Sequence, residues 1–162
     1  MRRIGVADTT FARFDMGGAA VDELRRRGEE MGLGEGRDFE IARVTVPGIK
    51  DLPVACLGLL ATCDICMALG MVGGAAVDKV CGHEASTSMQ QAMLMTRKHV
   101  IEVFVHEDEA KTEGELAYLF DRRTREHALN VLWMLFAPGE MAKRAGTGQR
   151  QGFADAGPIE RR

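Results

Sequence analysis

Four short apolar segments divide the chain, and helical spacing or a turn follows each of them. The segments cover residues 3–8, 39–46, 65–69 and 100–105. The second segment alternates between apolar and polar positions and is rich in β-branched residues, which is typical of a strand. The third is continuously apolar, as expected of a strand that is covered on both faces. We therefore predict four strands.

The intervals between these strands carry apolar residues at helical spacing. Asp15 is a good N-cap for a first helix over residues 16–27. Three more helices are predicted over residues 51–60, 83–98 and 116–136, and loops over residues 70–82 and 106–114. Strands that alternate with helices imply right-handed βαβ units and a parallel sheet. The predicted fold class is α/β, a three-layer, flavodoxin-like fold with a four-stranded parallel sheet flanked by helices.

Length and charge narrow the class of protein. A chain of 162 residues fits one compact domain, and we predict a catalytic domain over residues 1–145 and a polar tail over residues 146–162. The net charge is −3, so the chain does not have the excess of basic residues that is typical of proteins that bind nucleic acids or membrane surfaces. No apolar stretch is long enough to span a bilayer. No leader-like segment precedes the first strand, so we expect a cytoplasmic protein.

Four cysteines raise the question of a metal site. They are Cys56, Cys63, Cys66 and Cys81, and the middle pair has CxxC spacing. That pair leads into an apolar run instead of a ligand-bearing turn. We therefore expect buried thiols in a reducing compartment rather than metal ligands.

The unusual loops of this chain all follow predicted strands. They span residues 9–13, 47–51, 71–84 and 106–111. In open parallel sheets, ligands bind outside the carboxyl ends of the strands. This coincidence predicts an active site at that edge of the sheet.

Histidine lies beside carboxylate in two of these loops, as His83-Glu84 and as His106-Glu107-Asp108. Such pairs suit general acid/base chemistry near neutral pH, and they would also suit a divalent ion. Alternatively, the first pair caps a helix and the second belongs to a solvated charge run. We favour acid/base chemistry, because no spacing matches a known metal loop.

Three further loops carry weaker signals. Phe11 either stacks on a planar ligand or tucks back onto the first helix. Residues 47–51 combine a strand stop with a helix start, whose N–H groups could bind a ligand or form an ordinary turn. Residues 73–79 have the composition of a phosphate cradle but match neither the P-loop nor the dinucleotide fingerprint.

Seven motifs can be considered together: DTTFAR (8–13), VPGIKDLPVA (46–55), ALGM (68–71), DKVC (78–81), HEAS (83–86), EVFVHEDEAK (102–111) and RQGFADAG (150–157). In their order and spacing, over nearly the whole chain, these motifs resemble the archaeal riboflavin synthase family.

The resemblance implies a reaction in which two molecules of 6,7-dimethyl-8-ribityllumazine exchange a four-carbon unit. The products would be riboflavin and 5-amino-6-ribitylaminouracil. The resemblance also implies a fold related to lumazine synthase and a homopentamer with sites between subunits. One substrate acts as donor and the other as acceptor, so no organic cofactor is expected. A divalent metal such as Mg²⁺ would fit the family, although no ligand set can be placed.

The resemblance also assigns roles to residues. Phe11 would stack on a pteridine ring, and Met71 would line the floor of the pocket. Catalytic roles fall to His83, Glu84 and His106, without deciding which histidine is the base. The remaining predicted substrate contacts are Thr10, Ala12, Pro47, Gly48, Ile49, Lys50, Glu107 and Asp108.

Two rival functions remain. Lumazine synthase shares the VPG…LP motif, but it must also hold a sugar phosphate and usually does so with a glycine–threonine pair after the third strand. Here the Gly73–Ala76 segment has no hydroxyl partner, although Lys79 keeps this rival open. The other rival is a module that binds a lumazine or flavin without converting it.

Overall fold

The computed structural model describes residues 1–159 and confirms the predicted α/β fold. Its four strands are β1 (Arg2–Thr9), β2 (Phe39–Val46), β3 (Ile65–Val72) and β4 (His99–His106). They form one parallel sheet in the order β2-β1-β3-β4. The register sets the ends of neighbouring strands side by side, with Thr9 opposite Val46 and Val72 opposite His106.

Helices cover both faces of this sheet. They are α1 (Met16–Glu30), α2 (Leu52–Leu60), α3 (Ala76–Thr96), α4 (Glu113–Phe136) and α5 (Pro138–Lys143). The helices α1 and α4 pack together on one face, and α2 and α3 pack on the other. Single 3₁₀ turns follow β2 and β4, at Ile49–Asp51 and Glu107–Glu109.

Local sequence signals explain two of the helix starts. As predicted, the Asp15 carboxylate caps α1 by accepting a hydrogen bond from the Gly18 N–H at 2.8 Å. In α4, Thr112 and Glu115 form a capping box, in which each side chain accepts the backbone N–H of the other residue.

The centre of the core is β3, whose eight residues are all buried. Ile65, Met67 and Leu69 point toward α1 and α4, whereas Cys66, Ala68 and Val72 point toward α2 and α3. A strand that contributes to two apolar layers must be apolar at every position, and this explains the unbroken pattern in the sequence.

The predicted loop over residues 70–82 is wrong. The strand β3 continues to Val72, and α3 begins at Ala76. Gly70 pairs with Phe104 of β4, and glycine is needed there because a Cβ atom would lie 2.6 Å from the Ile49 Cγ2. His83 and Glu84, which stood at the predicted start of a helix over residues 83–98, therefore lie about two turns inside α3.

The predicted C-terminal tail is only partly covered by the described residues. The predicted boundary at residue 145 stays a prediction, and residues 160–162 of the predicted tail lie outside the described residues. Near the C-terminus, the Arg144 guanidinium lies 4.0 Å above the centre of the Trp133 ring. Within residues 1–159, no helix is both long and apolar enough to cross a membrane.

Candidate functional site

A cleft opens at the carboxyl ends of β1 and β3, where the strand order reverses. The connection from β1 to β2 runs through α1 on one face, and that from β2 to β3 runs through α2 on the other. Ligands bind at such switch points in open α/β sheets. The cleft has a volume of about 180 Å³ and is lined by Phe11, Gly48, Ile49, Lys50, Asp51, Met71, Gly73, Asp78 and Cys81. The structure thus brings together five of the predicted substrate contacts.

Backbone hydrogen bonds hold Phe11 at the rim of this cleft. The Thr10 N–H donates to the Val46 carbonyl at 2.9 Å, and the Phe11 N–H donates to the Pro47 carbonyl at 3.2 Å. The Thr10 hydroxyl also donates to Pro47. The Phe11 side chain is 54% exposed, so its ring is free to stack on a planar ligand. Ala12, by contrast, packs against the core and does not line the cleft.

Lys50 lies between this cleft and a wider depression on α3. Its ammonium group donates to the Glu84 carboxylate at 2.6 Å. This hydrogen bond and the opposite charge raise the pKa of Lys50 and lower that of Glu84. The depression has a volume of about 590 Å³, and its lining is Lys50, His83, Glu84, Thr87 and Ser88. A bound substrate could therefore contact a lysine, a carboxylate and an imidazole along one edge.

The start of α3 is occupied by the chain's own charges. The Asp78 carboxylate accepts the Ala75 N–H at 3.2 Å and places a negative charge beside the first turn of α3, which disfavours an anionic ligand there. The neighbouring Lys79 pairs with Asp108. A phosphate at this point would have to displace a carboxylate and break an ion pair.

The end of β4 lies outside both clefts. Glu107 pairs with Arg13 at 3.3 Å, and Asp108 pairs with Lys79. These two predicted substrate contacts therefore tie the loop after β4 to the loop after β1 and to α3. The His106 side chain lines neither cleft, whereas His83 lines the depression on α3. The roles of all these residues remain predictions.

Several polar groups near the site were not predicted. Asp78 and Cys81 line the cleft because α3 starts earlier than expected, which places positions three apart on one side of the helix. Glu102 on β4 accepts a hydrogen bond from the Ser86 hydroxyl at 2.8 Å, and burial raises the pKa of Glu102. Glu102 is the first residue of the motif over residues 102–111 that carries the resemblance, and this was a signal that could have found it.

The four cysteines differ in burial. Cys56, Cys63 and Cys66 are buried, and Cys81 is partly buried. Burial raises the pKa of the Cys63 thiol. Among the described residues, no group of three or more histidine, cysteine, aspartate or glutamate side chains is placed to hold a metal ion.

Comparison with known proteins points to one family. The family model for 6,7-dimethyl-8-ribityllumazine synthase matches residues 2–138. A protein named riboflavin synthase from Methanothermobacter thermautotrophicus is 53% identical over 161 residues, which cover 98% of this chain and 100% of that protein. Its namesake from Methanothermobacter marburgensis is 51% identical with the same coverage. Another namesake, from Archaeoglobus fulgidus, is 46% identical over 97% of this chain and 98% of its own length.

Proposed function

We propose that this protein is a riboflavin synthase, because the chain belongs to the 6,7-dimethyl-8-ribityllumazine synthase family and its relatives carry that name. It would transfer a four-carbon unit between two molecules of 6,7-dimethyl-8-ribityllumazine and release riboflavin and 5-amino-6-ribitylaminouracil. Full-length relatives at 46–53% identity carry that name. Similarity over the whole chain supports a shared reaction better than any one motif would.

The observation that carries the choice between this reaction and that of a lumazine synthase is the start of α3. A lumazine synthase must bind the phosphate of a sugar phosphate, and a helix N-terminus with free N–H groups suits that purpose. Here the Asp78 carboxylate lies at the N-terminus and accepts the Ala75 N–H, and Asp108 pairs with Lys79. Neither substrate of the proposed reaction carries a phosphate, so a riboflavin synthase has no need of an anion site.

The geometry suggests how the reaction would proceed. The Phe11 ring would stack on a lumazine ring, while Met71 and Ile49 form the apolar floor beneath it. The reaction requires removal of a proton from the acidic C7 methyl group and protonation of leaving nitrogens. His83, which borders the same edge as Lys50, would act as the base. His106 would act only if a neighbouring subunit brings it to this edge.

A neighbouring subunit would also have to complete the site. A cleft of about 180 Å³ is smaller than the roughly 300–1,000 Å³ of ordinary ligand pockets, and the reaction requires two stacked bicyclic substrates. We propose the homopentamer implied by the resemblance, with a site between each pair of subunits. Riboflavin synthesis of this kind needs no organic cofactor, and a divalent ion such as Mg²⁺ would assist only as an accessory.

Exposed apolar side chains on α3 support this assembly. Val77, Val80, Leu94 and Met95 are each more than half exposed. With 3.6 residues per turn they fall within an arc of roughly 100° on one side of the helix. His83 and Glu84 lie between them along the same exposed side. An apolar surface that surrounds candidate catalytic groups is typical of a subunit contact.

We propose that the protein is cytoplasmic, on the chemistry of its cysteines. Free cysteines without disulfides suit the reducing cytoplasm.

Two reactions run in parallel will test the proposal. One contains 6,7-dimethyl-8-ribityllumazine alone, and the other contains 5-amino-6-ribitylaminouracil with the four-carbon sugar phosphate. We expect riboflavin from the first and no lumazine from the second. Lumazine formation in the second reaction would identify a lumazine synthase. Stoichiometric binding of lumazine without conversion would identify a binding module.

A further inference from the structure

The segment over residues 150–157, here called the C-terminal strap, is fixed to α4 although it contains no helix or strand. The Gly152 N–H donates to the Glu126 carboxylate, and the Arg122 guanidinium donates to the Phe153 carbonyl at 3.1 Å. The Phe153 ring also lies 4.8 Å from the guanidinium carbon of Arg123. An irregular segment held by this many specific contacts is a defined part of the fold.

The fit of the strap depends on Gly152. Its φ angle of 79° lies in the left-handed region that favours glycine. A Cβ atom at this position would lie 2.6 Å from the Arg123 Nε and 3.1 Å from the Leu119 Cδ1. The backbone of the strap therefore packs directly against the side of Arg123.

Arg123 connects the strap to the end of β4. The residue is 7% exposed, and its guanidinium donates to the Phe104 carbonyl at 2.9 Å and to both carboxylate oxygens of Glu109, at 2.8 and 2.6 Å. A buried, bidentate arginine cannot shift without breaking several charge-assisted hydrogen bonds.

Glu109 completes the connection. Its Oε1 accepts the backbone N–H of His106 at 2.8 Å. Burial by itself would raise the pKa of Glu109, but the hydrogen bonds from Arg123 and from His106 outweigh it, and the pKa lies below its usual value. The carboxylate is therefore charged, and its hydrogen bond from the His106 N–H fixes the turn over residues 106–109.

We propose that the C-terminal strap is a positioning element for the turn that carries His106. It acts through Arg123 and Glu109, which link Gly152 and Phe153 to the His106 backbone. The inference rests on the proposed function, because the position of His106 matters to turnover only if this turn takes part in the reaction. Arg123 is a positioning residue here and touches no substrate.

A matched pair of glycine substitutions tests the proposal. Gly152→Ala and Gly146→Ala impose the same backbone strain, because the φ angles are 79° and 81°. The new methyl group meets Arg123 in the first variant and nothing within 4 Å in the second. Phe153→Leu serves as a further variant, since it removes the ring beside Arg123 without backbone strain.

Hydrogen exchange and kinetics are the two measurements. We expect amide exchange at residues 105–110 to be faster in Gly152→Ala than in Gly146→Ala, and Phe153→Leu to change it in the same direction. The kcat of Gly152→Ala should fall by about fivefold or more relative to the control, with KM within about twofold, because positioning affects the chemical step.

Equal exchange in the two glycine variants would overturn the proposal, as would faster exchange at unchanged kcat. A wild-type protein that converts no lumazine would defeat the proposed function alone. The exchange comparison would still decide whether the strap holds the turn.

Discussion

Replacement of His127 with glutamine is expected to make the fold less sensitive to mild acid. His127 lies on α4 and is largely covered. Burial, together with the positive charge of Arg123, lowers its pKa from 6.5 to about 4. The imidazole is therefore neutral in the folded protein at pH 5, whereas it binds a proton in the unfolded chain.

The sign and size of the effect follow from proton linkage. Between pH 6.5 and pH 4 the unfolded state binds more protons, so stability that is present above pH 6.5 is lost as the pH falls. With the two pKa values above, the loss is about 0.2 kcal/mol at pH 7 and about 2 kcal/mol at pH 5. Glutamine keeps a polar side chain but does not titrate.

Urea unfolding of both proteins at pH 7 and pH 5, at one protein concentration, measures the effect. Carboxylates such as Glu23 and Asp64, whose pKa values are lowered in the fold, also destabilise the protein as the pH falls. They are common to both proteins and cancel in the comparison. The variant should lose about 2 kcal/mol less than the wild type. Parallel pH dependences would refute the inference that His127 is buried in its neutral form.

Two further predictions concern the site. Gly70→Ala places a methyl group 2.6 Å from the Ile49 Cγ2, so we expect the free energy of unfolding in urea to fall by about 1–3 kcal/mol and the KM for lumazine to rise. The control Gly58→Ala meets nothing within 4 Å and should lower neither stability nor affinity. Equal behaviour of the two variants would contradict the close packing of the cleft floor. His83→Ala should lower kcat by about 100-fold without changing the unfolding midpoint. The control Gln91→Ala, on the same exposed side of α3, should retain activity. Wild-type turnover in the His83 variant would show that this histidine is not the acid/base group.

Local patterns sufficed for the sheet but not for the loops that follow it. Residues 39–46 alternate clearly and form β2 with the predicted bounds. The end of β3 was missed because Gly70 suggests a turn, and only the packing of Ile49 over it, from another part of the chain, shows why glycine stands inside a strand. Contacts of that range leave no periodic signal.

The start of α3 was missed for a related reason. Ala75 at the N-cap has no side-chain acceptor, so the usual signal of a helix start is absent. Asp78 supplies the cap from within the first turn. The position of His83 two turns inside α3 was missed with this boundary. The strands before Phe11 and Lys50 were predicted correctly, and both residues line the cleft.

The C-terminal strap makes contacts that amino-acid composition does not predict. Glycine-rich, polar residues from position 146 predict a polar tail, and the sequence carries no sign that Gly152 packs on Arg123, 29 residues earlier. The contact follows from the left-handed conformation of one glycine and from a buried ion pair, and both depend on the folded structure of α4.

The most direct test of the central claim is the product balance of a reaction with 6,7-dimethyl-8-ribityllumazine as the sole substrate. Riboflavin and 5-amino-6-ribitylaminouracil are measured over time by absorbance after chromatography. The account predicts equal amounts of the two products and two lumazine molecules consumed for each riboflavin. Lumazine that is bound but unchanged, or riboflavin without the pyrimidine, would contradict it.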